Sequence, residues 1–320
     1  MRLGIWDLQF KIMALVTNKK IGVLLGGLSS EREVSLASGN AILNALKDKG
    51  YYAVAIDVGR DVTEKIKDNG IEVAFIALHG RFGEDGAIQG LLEVMGIPYT
   101  GSGILASALG MNKTVSKQVF RSRGLLVGPY EVVYAGNAAK VNDALEEIRF
   151  PAVIKPHAEG SSVGVSLVFK REDVAAAVAL ALKYGNEFLI EKFIRGKEVQ
   201  VGILGNRALG AIEIVPKRAF YDYAAKYEKG MSDHFFPARI PDVSYKRTLE
   251  AGLAAHRAIG GRGYSRVDFI IDENGAPYIL EVNTLPGMTA TSLLPEIANG
   301  VGIPFPDLVE EILRLAVVEI

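Results

Sequence analysis

Near the C-terminus, the segment SRVDFIIDENGAPYILEVNTLPGMT carries Arg266, Asp268, Glu281 and Asn283 at positions that a β-hairpin brings to one face. Asn274-Gly275 fits a two-residue type I′ turn, which sets Asp268 opposite Glu281 and Arg266 opposite Asn283. The other face reads Val267, Phe269 and Ile271 against Tyr278, Leu280 and Val282, an apolar alternation in the same register. Two carboxylates directly across a strand pair repel each other, so a cation between them is expected. Two carboxylates and an amide oxygen form a hard, all-oxygen donor set that suits Mg²⁺ better than Zn²⁺. Mg²⁺ held by so few protein groups usually takes its remaining oxygens from a nucleoside triphosphate. The plainer alternative is a solvated hairpin face. Arg266 and Asn283 weigh against it, because they complete a focused polar cluster.

Other elements must position this hairpin. From Lys20 to about Met111 strands IGVLL, YAVAID and VAFIAL alternate with helices, which predicts a parallel sheet covered on both faces. Ser30 and Glu33 are spaced as a capping box, so the first helix is expected to start near Glu31 with its amides open to an anion. A second stretch, 112–199, reads as helix KTVSKQVFRSRG, strand AVIKP, loop EGSSVG, strand VSLVF, a helix from Arg171 to Tyr184 and strand EFLIEKF. The third, 200–320, holds strands VGIL and ALGAIEIV, a polar excursion, a helix near Thr248 to Ile259, the hairpin and two closing helices. Residues 1–18 read as an extension outside the fold, with Met13 an equally good start.

Composition narrows the classes. A chain of 320 residues, 49% of them apolar, can bury a large core and divide into two or three domains. A formal net charge of −1 gives no reason to expect nucleic acid or an anionic membrane as partner. The absence of cysteine removes thiol catalysis, thiolate metal sites and disulfides, and a cytoplasmic location is the plain default. No apolar run reaches the roughly 20 residues of a membrane helix.

Four local features each have two readings. LGGLSSEREVS after a strand could be a dinucleotide turn, but it lacks the third glycine, and Glu31 at the helix start would repel a pyrophosphate. EGSSVG is either a flap whose amides cover phosphates or an ordinary hairpin loop. LIEKF, with Glu198 seven residues after Glu191, offers acceptors for an adenine amino group and ribose hydroxyls, or else is a solvated strand edge. KRAFYDYAAKYEKG, rich in tyrosine and lysine, reads as a lid over an anionic ligand or as a surface loop.

Taken in order, LHGRFGEDG, EGSSVGVS, EKF with Glu198, YDYAAKY, RVDF and EVNTLPGMT resemble the D-alanine:D-alanine ligases of the ATP-grasp superfamily, from Lys20 to the C-terminus. Val282 and Leu285 depart from the alanine and serine frequent in that family. The resemblance implies an α/β and α+β fold, with a Rossmann-like N-terminal domain followed by a two-part ATP-grasp fold. It implies ATP-dependent joining of two D-alanines through an acyl phosphate in peptidoglycan precursor synthesis, and a homodimer. It implies two Mg²⁺ ions, replaceable by Mn²⁺, on Asp268, Glu281 and Asn283. Lys113, Lys155, Ser162, Glu191, Lys192, Ile194, Glu198, Lys226 and Leu280 would bind ATP, with the Ser161 to Gly164 flap over the phosphates. Glu31 and His79 would hold the first D-alanine, Ser292 and Leu293 the carboxylate of the second, and Arg266 with the backbone at Gly287 the oxyanion. Glu31, Ser161 and Tyr227 would form a triad fastening the lid. Tyrosine at 227 implies the dipeptide rather than the depsipeptide with D-lactate, and Tyr227→Phe would loosen that choice.

Two further readings stand beside this one. Another carboxylate–amine ligase of the same fold would keep the metal hairpin and change the amino acid. A nucleotide-binding regulator without turnover would be marked by loss of Arg266, Asp268, Glu281 or Asn283, and all four are present.

Overall fold

The computed structural model describes residues 18–160, 163–217, 232–289 and 291–318. Most of the 1–18 extension lies outside them, as do Ser161, Ser162, Lys226, Tyr227 and most of the expected lid.

The chain opens with β1 (Ile21–Gly26), α1 (Arg32–Asp48), β2 (Ala53–Val58), α2 (Val62–Asp68) and β3 (Val73–Ile76). The three strands pair in parallel in the order β2-β1-β3. Every residue of β1 is buried, as a strand covered by helices on both faces requires. The expected capping box does not form. Glu31 is the N-cap residue of α1 and its side chain makes no capping hydrogen bond. Ser29, not Ser30, takes the Glu31 N–H at 3.2 Å, because its hydroxyl is anchored by donating to the His79 carbonyl at 2.7 Å.

Helices α3 (Ala87–Met95) and α4 (Ile104–Met111) lead into α5 (Lys113–Ser122). Asn112 caps α5 through its side-chain oxygen, which accepts the Val115 N–H at 3.0 Å. The next unit contains β4 (Tyr130–Tyr134), α6 (Ala138–Ile148), β5 (Ala152–Pro156), β6 (Ser166–Val168), α7 (Val174–Ala181) and β7 (Glu187–Lys192). Its antiparallel sheet runs β4-β7-β5-β6. Strand β4 and helix α6 were not expected from the sequence. They cover and complete this sheet, with Val133, Ala144, Leu145 and Ile148 in its core.

The last unit contains β8 (Gly196–Leu204), β9 (Arg207–Pro216), β10 (Ser232–Phe235), α8 (Asp242–Ala258), β11 (Tyr264–Asp272), β12 (Pro277–Asn283), α9 (Leu293–Gly300) and α10 (Phe305–Arg314). Its antiparallel sheet runs β10-β9-β8-β11-β12. The chain changes sheets between Lys192 and Gly196, so the expected boundary at 199/200 falls inside β8. Helix α10 does not complete this unit. Leu308, Val309, Ile312 and Leu313 join the core of the parallel sheet. Lys49, at the end of α1, pairs with Asp307 at 2.6 Å and Glu310 at 2.8 Å. The C-terminus thereby closes the molecule onto its first domain.

One face of the five-stranded sheet packs on α8 through Val199, Val201, Val267, Phe269, Ile279 and Val282. The other face carries the polar residues singled out from the sequence.

Candidate active site

The hairpin keeps the expected functional pairs but reaches them by another route. Arg266 faces Asn283 and Asp268 faces Glu281. The turn, however, is a three-residue loop, Glu273 to Gly275, with Gly275 at φ +77. Gly275 N–H donates to the Asp272 carbonyl at 2.9 Å, and Asp272 N–H to the Ala276 carbonyl at 3.1 Å. Asp272 Oδ1 fixes the loop by accepting the N–H groups of Asn274 at 3.0 Å and Ala276 at 2.8 Å. Beyond the loop Ile271 faces Pro277 and Phe269 faces Ile279, one residue out of the expected register. A bulge at Leu280 restores the pairing before Glu281. Ile279 therefore takes the core position expected for Leu280, and Leu280 lines a cleft with Asp268 and Glu281.

Two cavities meet at this hairpin. The larger, about 480 Å³, is lined by every described residue that the sequence assigned to substrate or catalysis: Glu31, His79, Arg266, Gly287, Ser292 and Leu293. The second, about 160 Å³, lies between the two antiparallel sheets. Lys155, Glu191, Lys192 and Ile194 line it from one side, Glu198 and Leu280 from the other. Lys113 and Glu281 line both cavities.

The electrostatics differ from the expectation that a cation between the carboxylates alone relieves their repulsion. Each has its own protein cation. Arg266 donates to both oxygens of Asp268, Nε to Oδ1 at 2.7 Å and Nη2 to Oδ2 at 2.8 Å. Two residues apart on one strand, they share a face and close a bidentate pair. Lys113 Nζ, from the start of α5, lies 3.1 Å from Glu281 Oε2 and donates to the Glu159 carbonyl at 2.5 Å. Asn283 Oδ1 accepts the Leu285 N–H at 3.0 Å, which fixes the amide beside the carboxylates. No cluster of three or more His, Cys, Asp or Glu suited to a metal occurs among the described residues. Two carboxylates and an amide oxygen on one sheet face fit Mg²⁺ of the kind that draws its other ligands from phosphates.

In the cleft between the sheets, Glu191 is 6% exposed and flanked by two ammonium groups. Lys155 Nζ lies 3.0 Å from Oε2 and Lys117 Nζ 3.3 Å from Oε1. Burial pushes the Glu191 carboxyl upward, but the two lysines outweigh it and hold the group below its ordinary value. Lys192 donates to the Arg149 carbonyl at 3.5 Å and stays at the cleft mouth.

The wall of the larger cavity is tied across domains. His79 Nε2 lies 3.2 Å from Ser38 Oγ, and that hydroxyl accepts the Met288 N–H at 3.2 Å. The N-terminal domain thus holds the loop containing Gly287. Ser292 Oγ accepts the Thr289 N–H at 2.9 Å and precedes α9 as its N-cap residue. A Cβ on Gly287 would lie 2.9 Å from Ser292 Oγ, so any larger residue there must displace that hydroxyl. Glu31 reaches the same cavity, its Oε2 2.8 Å from where a Cβ on Gly80 would stand.

Lys117 was not read from the sequence as a site residue. Its signal is positional: it follows Lys113 by one helical turn, and with Ser116 and Phe120 lies on the buried side of α5. Gln200 was missed too. It faces Asp268 across β8 and β11, is 1% exposed, and lines the larger cavity.

A parallel α/β domain followed by two antiparallel sheets that close on a cleft is the architecture of the ATP-grasp ligases. The D-ala D-ala ligase C-terminus signature matches residues 119–314 and the D-ala D-ala ligase N-terminus signature residues 60–102. A D-alanine--D-alanine ligase from Geotalea uraniireducens is 62% identical, covering 94% of this chain and 97% of that one. The chain belongs to the D-alanine–D-alanine ligase family. Among solved structures, the D-alanine--D-alanine ligase from Bacillus anthracis complexed with ATP superposes with TM-score 0.82 at 34% identity, covering 93% of this chain and 97% of that one. The VanG D-Ala:D-Ser ligase from Enterococcus faecalis does so with TM-score 0.82 at 29% identity, covering 93% and 99%. No helix among the described residues is long and apolar enough to cross a membrane.

Proposed function

We propose that the protein joins two D-alanines into D-alanyl-D-alanine, cleaving ATP to ADP and phosphate, in the cytoplasm and as a homodimer. The observation that carries this reading is the Lys113–Glu281 pair, which lines both cavities, so that a nucleotide phosphate in one and an amino-acid carboxylate in the other would meet beside it.

A carboxylate resists attack by an amine because its oxygen is a poor leaving group. The γ-phosphoryl passes to a carboxylate oxygen of the first D-alanine, forming an acyl phosphate and ADP. The amine of the second then attacks the carbonyl carbon, the carbon–oxygen bond to phosphate breaks, and the nitrogen gives up a proton. Lys155 and Lys113 neutralise and orient the phosphates, while Lys192, Ile194, Glu191, Glu198 and Leu280 hold adenine and ribose. Mg²⁺, or Mn²⁺ in its place, would be held by Asp268, Glu281 and Asn283 and supplies charge neutralisation on the β- and γ-phosphates. Glu31 and His79 hold the first amino acid. Ser292 and Leu293, at the start of α9, hold the carboxylate of the second. Arg266, kept rigid by its bidentate pairing with Asp268, directs positive charge at the developing oxyanion beside the Gly287 backbone.

The test is ATP turnover with Mg²⁺ and D-alanine, reading the product by mass, with D-serine, D-lactate and L-alanine as competing acceptors. D-alanine-dependent ADP release with a D-alanyl-D-alanine product is expected. Turnover with another acceptor only would move the function to a sister ligase.

A further inference from the structure

Helix α5 places two lysines one turn apart, and only Lys113 has a role in the reaction above. Lys117 is 1% exposed, yet its ammonium lies 3.3 Å from Glu191 Oε1, while Lys155 occupies Oε2 at 3.0 Å. Lys155 cannot serve Glu191 and the phosphates equally well. If it turns to the phosphates with no other cation present, Glu191 is left as an unpaired charge in the interior, which a protein strongly resists. Lys117 is the cation that stays. It rises from the buried side of its helix, 5.8 Å from the centre of the Tyr130 ring, against which Arg121 also packs at 4.2 Å.

We propose that Lys117 is a positioning residue for nucleotide binding: it keeps Glu191 charged and aimed at the exocyclic amino group of the purine, so that Lys155 is released to the phosphates. This rests on the reading of the cleft as an ATP site. The groups facing Lys117 are Glu191 from β7, Lys155 from β5, Tyr130 from β4 and, at longer range, Glu281 from β12. Burial lowers the Lys117 ammonium to about 8 against the pull of Glu191, so its charge is held by that pairing.

Lys117→Met and Lys117→Arg, with the wild type alongside, test the assignment. KM for ATP, KM for D-alanine and the preference for ATP over inosine triphosphate, which lacks the exocyclic amino group, are measured. In Lys117→Met, KM for ATP rises at least about tenfold and the preference for ATP over inosine triphosphate collapses, whereas KM for D-alanine stays within about twofold. Lys117→Arg restores most of the ATP affinity. Equal losses for both nucleotides, or a shift in KM for D-alanine alone, would overturn the assignment. Should Lys117→Met fail to accumulate as folded protein, the pH profile decides. The wild-type KM for ATP rises above about pH 8, where Lys117 loses its charge, while Lys117→Arg stays level; matching profiles overturn the assignment. Wild-type turnover carries the ligase reading, and the variant-to-wild-type ratios carry this one.

Discussion

Lys113 Nζ and Glu281 Oε2 stand 3.1 Å apart, joining the first turn of α5 to the last strand of the five-stranded sheet where the two cavities meet. Each partner neutralises the other until ligands arrive, and each then has a different charge to meet. Lys113→Met is expected to lower kcat/KM for ATP on the order of 100-fold, the scale of losing one positioned cation at a reacting group. Glu281→Gln is expected to raise the Mg²⁺ concentration needed for half-maximal activity by roughly 10- to 100-fold, as loss of a ligand-shell carboxylate does. Steady-state kinetics with Mg²⁺ titration separate the two. Identical responses of both variants would mean that the pair is only structural.

The bulge in the hairpin gives a test in two neighbouring residues. Ile279 is fully buried against α8, whereas Leu280 is turned into the smaller cleft between the two antiparallel sheets. Ile279→Ala is expected to cost about 2–5 kcal/mol of stability. Leu280→Ala is expected to leave the melting temperature nearly unchanged and to raise KM for ATP several-fold. Strict strand alternation gives the opposite assignment, so thermal denaturation of the two variants decides between the registers.

That pair also marks how far the sequence could be read. Asp268 opposite Glu281 and Arg266 opposite Asn283 were legible, because a hairpin with a tight turn near Asn274-Gly275 allows few registers. The details between were not. A three-residue loop and a bulge each move the register by one residue, and at Asp268 the two shifts cancel. Residue types do not reveal such a cancellation, since Ile279 and Leu280 are equally apolar. Lys117 escaped for a related reason: a lysine on a helix reads as solvated until the structure shows it packed against Glu191. The pairing of α10 with α1 is a contact between the two ends of the chain, and no local pattern announces it.

Gly287 has a close neighbour in Ser292, whose Oγ would stand 2.9 Å from an added Cβ. Gly287→Ala must push the Ser292 hydroxyl away from its place at the start of α9. KM for D-alanine is expected to rise by about tenfold with KM for ATP unchanged, because the perturbed wall belongs to the larger cavity alone, the one proposed to hold the amino acids. An equal change in both constants would point to a general loosening of the hairpin.

His256 sets a pH limit on the fold from outside the active site. It lies on α8, 1% exposed, with Nδ1 2.8 Å from Ser265 Oγ and no hydrogen-bond partner for Nε2. Burial, assisted by nearby Arg257, lowers the imidazole to about 4, against 6.5 for a free side chain. Between those values the unfolded chain binds a proton that the folded one does not. His256 therefore leaves the fold unpenalised above about pH 6.5, and its stabilising share is lost as the pH falls toward 4. A displacement of this size corresponds to roughly 3 kcal/mol. His256→Gln is expected to be less stable than the wild type at pH 7.5, where the neutral imidazole is well packed. Between pH 6.5 and 4.5 it should lose distinctly less stability than the wild type does. Chemical denaturation at closely spaced pH values measures both slopes, and parallel slopes would assign the acid sensitivity to the carboxylates instead.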